Sequence, residues 1–414
     1  VVDRFGRKAL IRKDDDCEIR IQGEVNSCLD EIKTPEDVAE KIAEVKMRYN
    51  EHMPSDLYSR QWMEDTRNSD DGVKDKTGKR SIHDTKDNFT VMQFNVLAEG
   101  LSVGPVTEPF EPYETGGYYC GFDAIPKPEV CLDNNLRQWR LLEVILSATK
   151  SLVTSLDKSD EQLGFEKDLI DVIAMEELDT FHGFFEPVLN IFGYKGIFVP
   201  KPSAPGIKFG FYSDGCALFW KQNVFEMVKH EDWSYEIGSQ IGMAVTLRHY
   251  RTGRIIIFTV THLKAKAIAE PIRTLQASEI IEKMQTLAST TASDLNLNEA
   301  EIPMLIMADF NAQPVGEGMT CMKTILNRDS KPHFTSVYKV DPPDETFYTT
   351  SKFRGKLFHR IIDYILYNRD DTRGIECTHV LQPPKVQDLD PARLPGFRYP
   401  SDHLCICAKF SLEK

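Results

Sequence analysis

Short, almost continuously apolar runs recur along the chain from residue 89 onward, and each one ends at a polar or charged residue. Runs of this kind are typical of strands covered on both faces, and they lie at 89–97, 169–175, 216–220, 255–260, 304–307, 361–367 and 404–410. Apolar residues at helical spacing separate some of them, at 134–149 and 270–287. Because strand and helix patterns alternate, the sequence predicts an α/β domain with helices packed on sheets.

Composition narrows the class of protein further. The chain has 414 residues, of which 41% are hydrophobic, and no apolar stretch approaches the roughly 18 residues that a membrane helix needs. A net charge of −14 disfavours binding to a long nucleic acid, because such binding depends on neutralising many phosphates. It favours a small phosphorylated substrate, a metal-assisted site or a partner that brings nucleic acid in. Nine cysteines without a C-x-x-C pair predict buried free thiols and a reducing compartment, cytoplasmic or mitochondrial.

Residues 1–88 differ from the rest because charged and polar side chains dominate them. One helix is predicted there, with Thr34 as N-cap and Pro35 at its first position. Its apolar residues at helical spacing are Val38, Ile42, Val45 and Tyr49. Residues 66–88 contain almost nothing to bury and indicate a linker. We therefore predict an N-terminal extension, 1–88, and a main domain, 89–414. The extension is either a tail with one docking helix or a module that binds a protein partner.

Residues 101–130 form a long segment rich in glycine, proline and aromatic residues. A loop of this length in a compact domain is often a lid or a binding loop. A surface insertion packed by its own aromatic side chains is the alternative.

Polar side chains follow, interrupt or directly precede most of the predicted strands. They are Asn95, Glu176, Glu177, His262, Asp309, Asn311, Asp363, Asp402 and His403. Each one alone is more often a cap or a turn residue, but ligand sites in α/β sheets lie at strand ends, so these groups are expected to converge. Carboxylate and amide oxygens are hard ligands that suit Mg²⁺ or Mn²⁺. A hard cation beside a carboxylate base and histidines predicts hydrolysis of a phosphate ester.

Seven segments, in order along the chain, resemble the exonuclease–endonuclease–phosphatase superfamily: 91–98, 175–179, 214–219, 261–265, 309–312, 363–365 and 399–404. The resemblance leaves residues 1–88 uncovered and makes 89–414 the catalytic domain. It implies two face-to-face mixed β-sheets flanked by helices, a four-layer α/β sandwich. It also implies Mg²⁺-dependent cleavage of phosphate esters.

Segments 193–202, 261–265 and 394–399 are most similar to one subgroup of that superfamily, which is related to the poly(A)-shortening nucleases. That likeness implies a 2′-phosphatase that converts NADP⁺ and NADPH to NAD⁺ and NADH. A 3′-exonuclease (deadenylase) acting on poly(A) or other single-stranded RNA is the alternative. Phosphoinositides, or cyclic or 2′,5′-linked nucleotides, are further candidate substrates, and a catalytically silent adaptor is a candidate from a different class.

The resemblance also implies roles for individual residues. Asp309 is expected to orient or deprotonate the attacking water, and His403, oriented by Asp363, to stabilise the phosphoryl transition state. The implied metal ligand is Glu177, with Asn95 and Asp402 beside the metal. The residues implied to contact the scissile phosphate are Asn95, Asn311 and His262, and the implied substrate-binding cations are Lys201, Lys264 and Lys266.

Two residues depart from the pattern of the family. Lys266 stands where the subgroup has arginine, and a lysine cannot grip a phosphate with two parallel hydrogen bonds. Glu176 stands where the family usually has glutamine. Strand alternation predicts that Glu176 points away from Glu177 as a solvated carboxylate; if it faces the site instead, it adds negative charge beside an anionic substrate.

Overall fold

The structure is a computed structural model, and it describes residues 9–14, 17–22, 29–65, 87–102, 122, 124–149, 169–316, 318–327, 333–338, 340, 347–354, 356–368 and 374–412. The strands in this part of the chain are β1 (Ala9–Asp14), β2 (Cys17–Gln22), β3 (Trp62–Glu64), β4 (Asn88–Asn95), β5 (Val172–Leu178), β6 (Tyr194–Pro200), β7 (Gly215–Lys221), β8 (Phe225–Ser234), β9 (Ile241–His249), β10 (Ile255–His262), β11 (Met304–Asp309), β12 (Thr335–Ser336), β13 (Thr350–Arg354), β14 (Lys356–Arg360), β15 (Asp363–Tyr367), β16 (Ile375–Leu381) and β17 (Ile406–Leu412).

The α-helices are α1 (Pro35–Asn50), α2 (Glu99–Ser102), α3 (Pro128–Cys131), α4 (Asn134–Ser147), α5 (Glu186–Ile191), α6 (Glu270–Leu295) and α7 (Met319–Ile325). A π-helical turn at Phe181–Phe185 precedes α5, and short 3-10 turns lie at Pro205–Phe209, Ala267–Ala269, Glu299–Glu301 and Val386–Asp388. Among the helices of the described residues, none combines the length and the apolar character needed to cross a membrane.

Two mixed sheets form the centre of the molecule. One has seven strands in the order β3-β16-β17-β4-β5-β7-β6, and the other has six in the order β12-β15-β11-β10-β9-β8. Apolar side chains of both sheets, such as Val91 and Val245, share one buried cluster between them. Helix α6 packs on the outer face of the six-stranded sheet, where Met284 accepts a hydrogen bond from Thr259. Helices α1 and α4 cover the outer face of the seven-stranded sheet. The predicted sandwich of two sheets between helices is confirmed.

The pairing of the strands brings the predicted site residues to one end of the sandwich. In the seven-stranded sheet β4 and β5 are parallel, and Asn95 lies opposite Glu176. In the six-stranded sheet β10 and β11 are parallel, so that His262 lies opposite Asp309. Strand β15 runs antiparallel to β11 and places Asp363 directly beside Asp309. The carboxyl ends of two parallel pairs therefore meet across the gap between the sheets.

Helix α1 and strand β3, which precede β4, pack on the seven-stranded sheet, whereas β1 and β2 pair with each other. Helix α1 begins at Pro35 after Thr34, as predicted, and a reciprocal capping box with Asp37 closes its first turn. Strand β3 extends the sheet at its β16 edge. Arg60 donates hydrogen bonds to the carbonyls of Gln382 (2.8 Å), Cys405 (2.7 Å) and Leu381 (3.3 Å). Most of the predicted linker and most of segment 101–130 lie outside the described residues. The division at residue 88 and the proposed lid therefore stay predictions.

Six cysteines within the described residues are buried and carry free thiols, as predicted. They are Cys131, Cys216, Cys321, Cys377, Cys405 and Cys407.

Candidate active site

A β-bulge at the end of β5 shapes the site. The register between β5 and β7 shifts between Met175 and Leu178, and Glu177 takes a left-handed backbone conformation with φ 55°. A bulge of this kind re-aims side chains and breaks strand alternation. Both Glu176 and Glu177 consequently bond to side chains of β4 that line the gap between the sheets, Gln93 (2.8 Å) and Asn95 (3.1 Å) respectively.

The expectation that Glu176 is a solvated carboxylate pointing away from the site is therefore wrong. Its side chain is completely buried. Burial, reinforced by the nearby carboxylates of Asp363 and Asp309, raises the pKa of Glu176 well above its ordinary value. The physical reason is the bulge, which sequence alternation does not anticipate.

Asn95 links two carboxylates across the gap between the sheets. Its amide nitrogen donates to Glu177 Oε1 (3.1 Å) and to Asp309 Oδ2 (3.0 Å). The second oxygen of Glu177 accepts a hydrogen bond from the backbone of Ala98 (3.2 Å). Asp309 is buried, and its other oxygen accepts from the backbone of Asn311 (2.8 Å). Burial and the neighbouring Asp363 raise the pKa of Asp309 to about 7.

A buried histidine–carboxylate pair lies beside Asp309. His403 Nδ1 lies 2.9 and 3.0 Å from the two oxygens of Asp363 and 3.8 Å from Asp309 Oδ2. Burial alone would lower the pKa of His403, but the carboxylate of Asp363, aided by Asp402 and Asp309, raises it to about 9. The imidazole of His403 is thus held as a cation at neutral pH, with Nδ1 committed to Asp363.

A second histidine, His262, also lies close to Asp309. Its Nε2 is 2.9 Å from the amide nitrogen of Asn311 and 3.6 Å from Asp309 Oδ2. Its Nδ1 is 3.4 Å from the ammonium of Lys201, which also forms a 2.5 Å ion pair with Asp214. Burial and the adjacent Lys201 lower the pKa of His262 well below its ordinary value. His262 is therefore neutral and accepts the hydrogen bond of Asn311.

The structure thus brings most of the predicted residues into one connected group: Asn95, Glu177, Lys201, His262, Asp309, Asn311, Asp363, Asp402 and His403. Two predicted cations lie elsewhere. Lys264 is half-buried and Lys266 is exposed, both in the loop that follows β10. The backbone carbonyls of these lysines accept hydrogen bonds from Arg273, at 2.8 and 2.6 Å. Arg273 therefore holds this loop at the rim of the site.

Lys352 is a site residue that the sequence analysis missed. It lies on β13, and its ammonium is 2.5 Å from Asp402 Oδ2 and 3.4 Å from His403 Nε2. The neighbouring Thr350 donates to the backbone carbonyl of Asp402 (2.7 Å), which joins the β13–β14 hairpin to the loop that carries His403. The available signal was the alternating basic run at 352–360, directly before the motif that contains Asp363.

Ser401 and Arg137 anchor the two loops that carry the catalytic groups. The hydroxyl of Ser401 donates to the carbonyl of Asn95 (2.7 Å) and accepts from the backbone of His403 (3.1 Å). Arg137 is buried on α4 and donates to the two carbonyls directly after Asn95 (2.8 and 2.7 Å) and to that of Pro400 (3.3 Å). The hydroxyl of Ser401 is thus an anchor for the backbone rather than a nucleophile.

The fold and this group of residues define a class of protein. A match to the Endonuclease/Exonuclease/phosphatase family extends over residues 93–403. The chain belongs to that family, whose members are hydrolases acting on phosphoester bonds, and the predicted resemblance is confirmed.

Within that family the chain is similar to Nocturnin and to the exoribonuclease subunit Ccr4. The chain is 32% identical over 255 residues to Nocturnin of Mus musculus, covering 59% of this chain and 55% of that protein. It is 25% identical over 382 residues to Ccr4 of Debaryomyces hansenii, the 3′-5′-exoribonuclease subunit of the CCR4-Not complex, covering 82% of this chain and 41% of that protein. The human Nocturnin catalytic domain with bound sulfate superimposes with a TM-score of 0.55 and 26% identity, covering 79% of this chain and 94% of that domain. The chain therefore spans about half the length of the relatives that it matches.

Proposed function

We propose that this protein is a divalent-cation-dependent phosphoester hydrolase that removes the 2′-phosphate of NADP⁺ and NADPH. The observation that carries the hydrolytic part is the pairing of a buried, cationic His403 with Asp363, directly beside Asp309. Those groups supply an acid for the phosphoryl oxygens and a carboxylate for water, which are the two elements that phosphate-ester hydrolysis requires.

The donor set fits a hard cation. Glu177 and Asp309 present carboxylate oxygens at one place, where the amide nitrogen of Asn95 joins them, and no cysteine belongs to the connected group. Carboxylate ligands suit Mg²⁺ or Mn²⁺. Glu177 would hold the ion with Asn95 beside it, and the ion would polarise a phosphoryl oxygen and lower the pKa of bound water.

Asp309 is suited to accept a proton from the attacking water. Its two oxygens are oriented by hydrogen bonds from Asn95 and from the backbone of Asn311. A general base works best when its pKa lies near the operating pH, and the pKa of Asp309 is raised to about 7. Asp309 is therefore proposed as the base.

His403 and Lys352 together place positive charge where the phosphoryl group gains negative charge. Asp363 holds Nδ1 of His403, so Nε2–H remains to donate to a phosphoryl oxygen. The ammonium of Lys352 lies 3.4 Å from that Nε2. Lys201 supplies a further cation, and His262 and the backbone of Leu263 hold the amide of Asn311 in place.

Two observations support a small nucleotide substrate. The net charge of the chain is −14, and the cations of the group are single side chains on different elements, Lys201 and Lys352. A long nucleic acid is bound mainly by neutralising many phosphates, whereas one phosphate ester needs only a few cations. The choice of NADP(H) itself rests on the motif likeness at 193–202, 261–265 and 394–399.

A 3′-exonuclease acting on poly(A) is the second candidate. The similarity to the exoribonuclease subunit Ccr4 favours it, and half-buried Lys264 and exposed Lys266 lie in the loop at the rim, where they would contact a strand. Partner binding by residues 1–88 stays a separate proposal.

One experiment tests both candidates. Inorganic phosphate release from NADP⁺ and NADPH is measured with Mg²⁺, with Glu177→Ala as the blank, and a 5′-labelled oligo(A) is incubated in parallel. We expect phosphate release that disappears in Glu177→Ala and an intact oligo(A). A shortening RNA ladder without phosphate release would contradict the phosphatase proposal and support the nuclease. If the protein hydrolyses neither substrate and no other phosphate ester that is tested, the hydrolytic proposal is refuted.

A further inference from the structure

Gln93 lies behind the proposed catalytic pair and has no part in the mechanism described above. It sits on β4 two residues before Asn95, on the same face of the strand, and it is completely buried. Its amide nitrogen donates to Asp363 Oδ1 (3.1 Å) and to Glu176 Oε2 (2.8 Å). One amide thus connects the seven-stranded sheet to the carboxylate that holds His403.

The orientation of this amide follows from its surroundings. If the side chain were turned over, its oxygen would face the carboxylate of Asp363, and two acceptors would meet there without a proton between them. The nitrogen end, which carries two protons, satisfies both carboxylates at once. Because Glu176 and Asp363 lie on different sheets, the amide fixes the direction of Asp363 relative to the seven-stranded sheet, which carries Asn95 and Glu177.

This arrangement is costly for the fold. Within the described part of the chain, Gln93 Oε1 and Glu176 Oε1 are both buried without a hydrogen-bond partner. A buried polar atom that is left unpaired destabilises a protein. Two apolar side chains of similar size would fill the same space without that cost. Buried polar atoms without hydrogen-bond partners are among the departures from ordinary packing that are expected at functional sites.

We propose that Gln93 is a positioning residue of the hydrolytic site, and that its amide, held by Glu176, keeps Asp363 in the orientation that binds His403. The inference rests on the proposed hydrolytic function for its role in turnover. It also connects Glu176, which stands where the family usually has glutamine, to the proposed catalytic pair. Glu176 holds Gln93, Gln93 holds Asp363, and Asp363 binds His403.

The test is the variant Gln93→Met, which keeps the length of the side chain and removes the donor. Gln138→Met is the matched control, because Gln138 is a buried glutamine on α4 outside this network. We expect kcat of Gln93→Met to fall at least about tenfold with KM nearly unchanged, since small misplacements of catalytic groups reduce rates by such factors. Gln138→Met should keep the kcat of the unmodified protein.

A double-mutant cycle shows whether Gln93 acts through Asp363. In an Asp363→Asn background, adding Gln93→Met should change kcat by less than about twofold, because its target is already removed. Full additivity of the two losses, or a Gln93→Met variant with normal kcat, would overturn the proposal. An effect on KM alone would overturn it as well.

A second measurement separates this inference from the proposed function. In ¹⁵N-histidine-labelled protein, the Nδ1 proton of His403 reports its hydrogen bond to Asp363 directly. That resonance should move upfield in Gln93→Met and stay in place in Gln138→Met. If the unmodified protein hydrolyses no phosphate ester but the resonance moves, the positioning role stands and the proposed function fails. An unmoved resonance refutes the positioning role whatever the activity.

Glu176→Gln is the second variant if Gln93→Met does not fold. A glutamine at 176 still offers an oxygen to the amide of Gln93, so kcat should remain within about threefold. A loss greater than tenfold would overturn the assignment of Glu176 as the residue that holds Gln93.

Discussion

Replacing Tyr49 by alanine tests whether the residues before β4 are an integral part of the catalytic fold. Tyr49 is 1% exposed on α1, its ring lies 5.3 Å edge-on from that of Phe397, and its hydroxyl donates to the carbonyl of Cys131 (3.2 Å). Truncating a buried aromatic residue to alanine destabilises by about 3–5 kcal/mol, and the lost hydrogen bond accounts for about 1 kcal/mol of such a change. We expect Tyr49→Ala to lower the free energy of unfolding by about 4 kcal/mol and Tyr49→Phe by about 1 kcal/mol.

The assay is urea unfolding followed by tryptophan fluorescence and, in parallel, by far-ultraviolet circular dichroism. Both signals should shift together to lower urea in Tyr49→Ala, because α1 and the sheet share one apolar cluster. Met47→Ala is the control, since Met47 is 63% exposed on the same helix and its replacement should leave the midpoint in place. An unchanged main transition in Tyr49→Ala, or a separate early transition for α1, would refute the reasoning and favour an extension that folds independently.

Three further outcomes are expected. Lys352→Met should reduce kcat about tenfold or more with a smaller change in KM, since it removes a cation beside His403 and the close ion pair of Asp402; an unchanged kcat for phosphate release would contradict this. Lys266→Arg should lower KM for NADP⁺ about fivefold, because a guanidinium binds phosphate with two parallel hydrogen bonds, and a higher KM would argue against contact with the substrate. Burial lowers the pKa of His403 but Asp363 raises it to about 9, above the 6.5 of an ordinary histidine; the stabilisation from its charge is therefore complete below pH 6.5 and lost as the pH rises through 9. Urea unfolding without divalent cations should show this loss in the unmodified protein and a much smaller one in Asp363→Asn.

The two departures from the family pattern have different consequences in the structure. Lys266 is exposed at the rim, away from the buried group, and its proposed role is to bind substrate. Glu176 is completely buried near Asp363 and Asp309, two of the groups proposed to carry out the reaction. We therefore expect changes at Lys266 to appear mainly in KM, and changes around Glu176 to appear mainly in kcat.

Features that depend on neighbours along the chain were predictable from the sequence. The start of α1 is set by Thr34, Pro35 and Asp37, which lie within four residues of one another and cap the helix locally. The strands that end at Asn95 and Asp309 were recognisable because each is a short apolar run followed by a polar residue. The α/β class and the convergence of strand-end residues follow from such runs, since polar groups at the carboxyl ends of parallel strands share one edge of a sheet. The two-sheet sandwich was implied by the family resemblance.

Features that depend on contacts between distant segments were decided only by the tertiary structure. Lys352 reaches Asp402 from a hairpin on another part of the chain, and the basic run at 352–360 does not reveal which carboxylate it meets. Glu176 turns toward Gln93 because a bulge interrupts the alternation of β5, and the bulge depends on the pairing of β5 with β7. The pKa values of His403 and Asp309 likewise depend on burial and on charges brought together by folding. The sequence by itself determined which groups were available for the chemistry, and the packing of two sheets decided their distances, orientations and protonation.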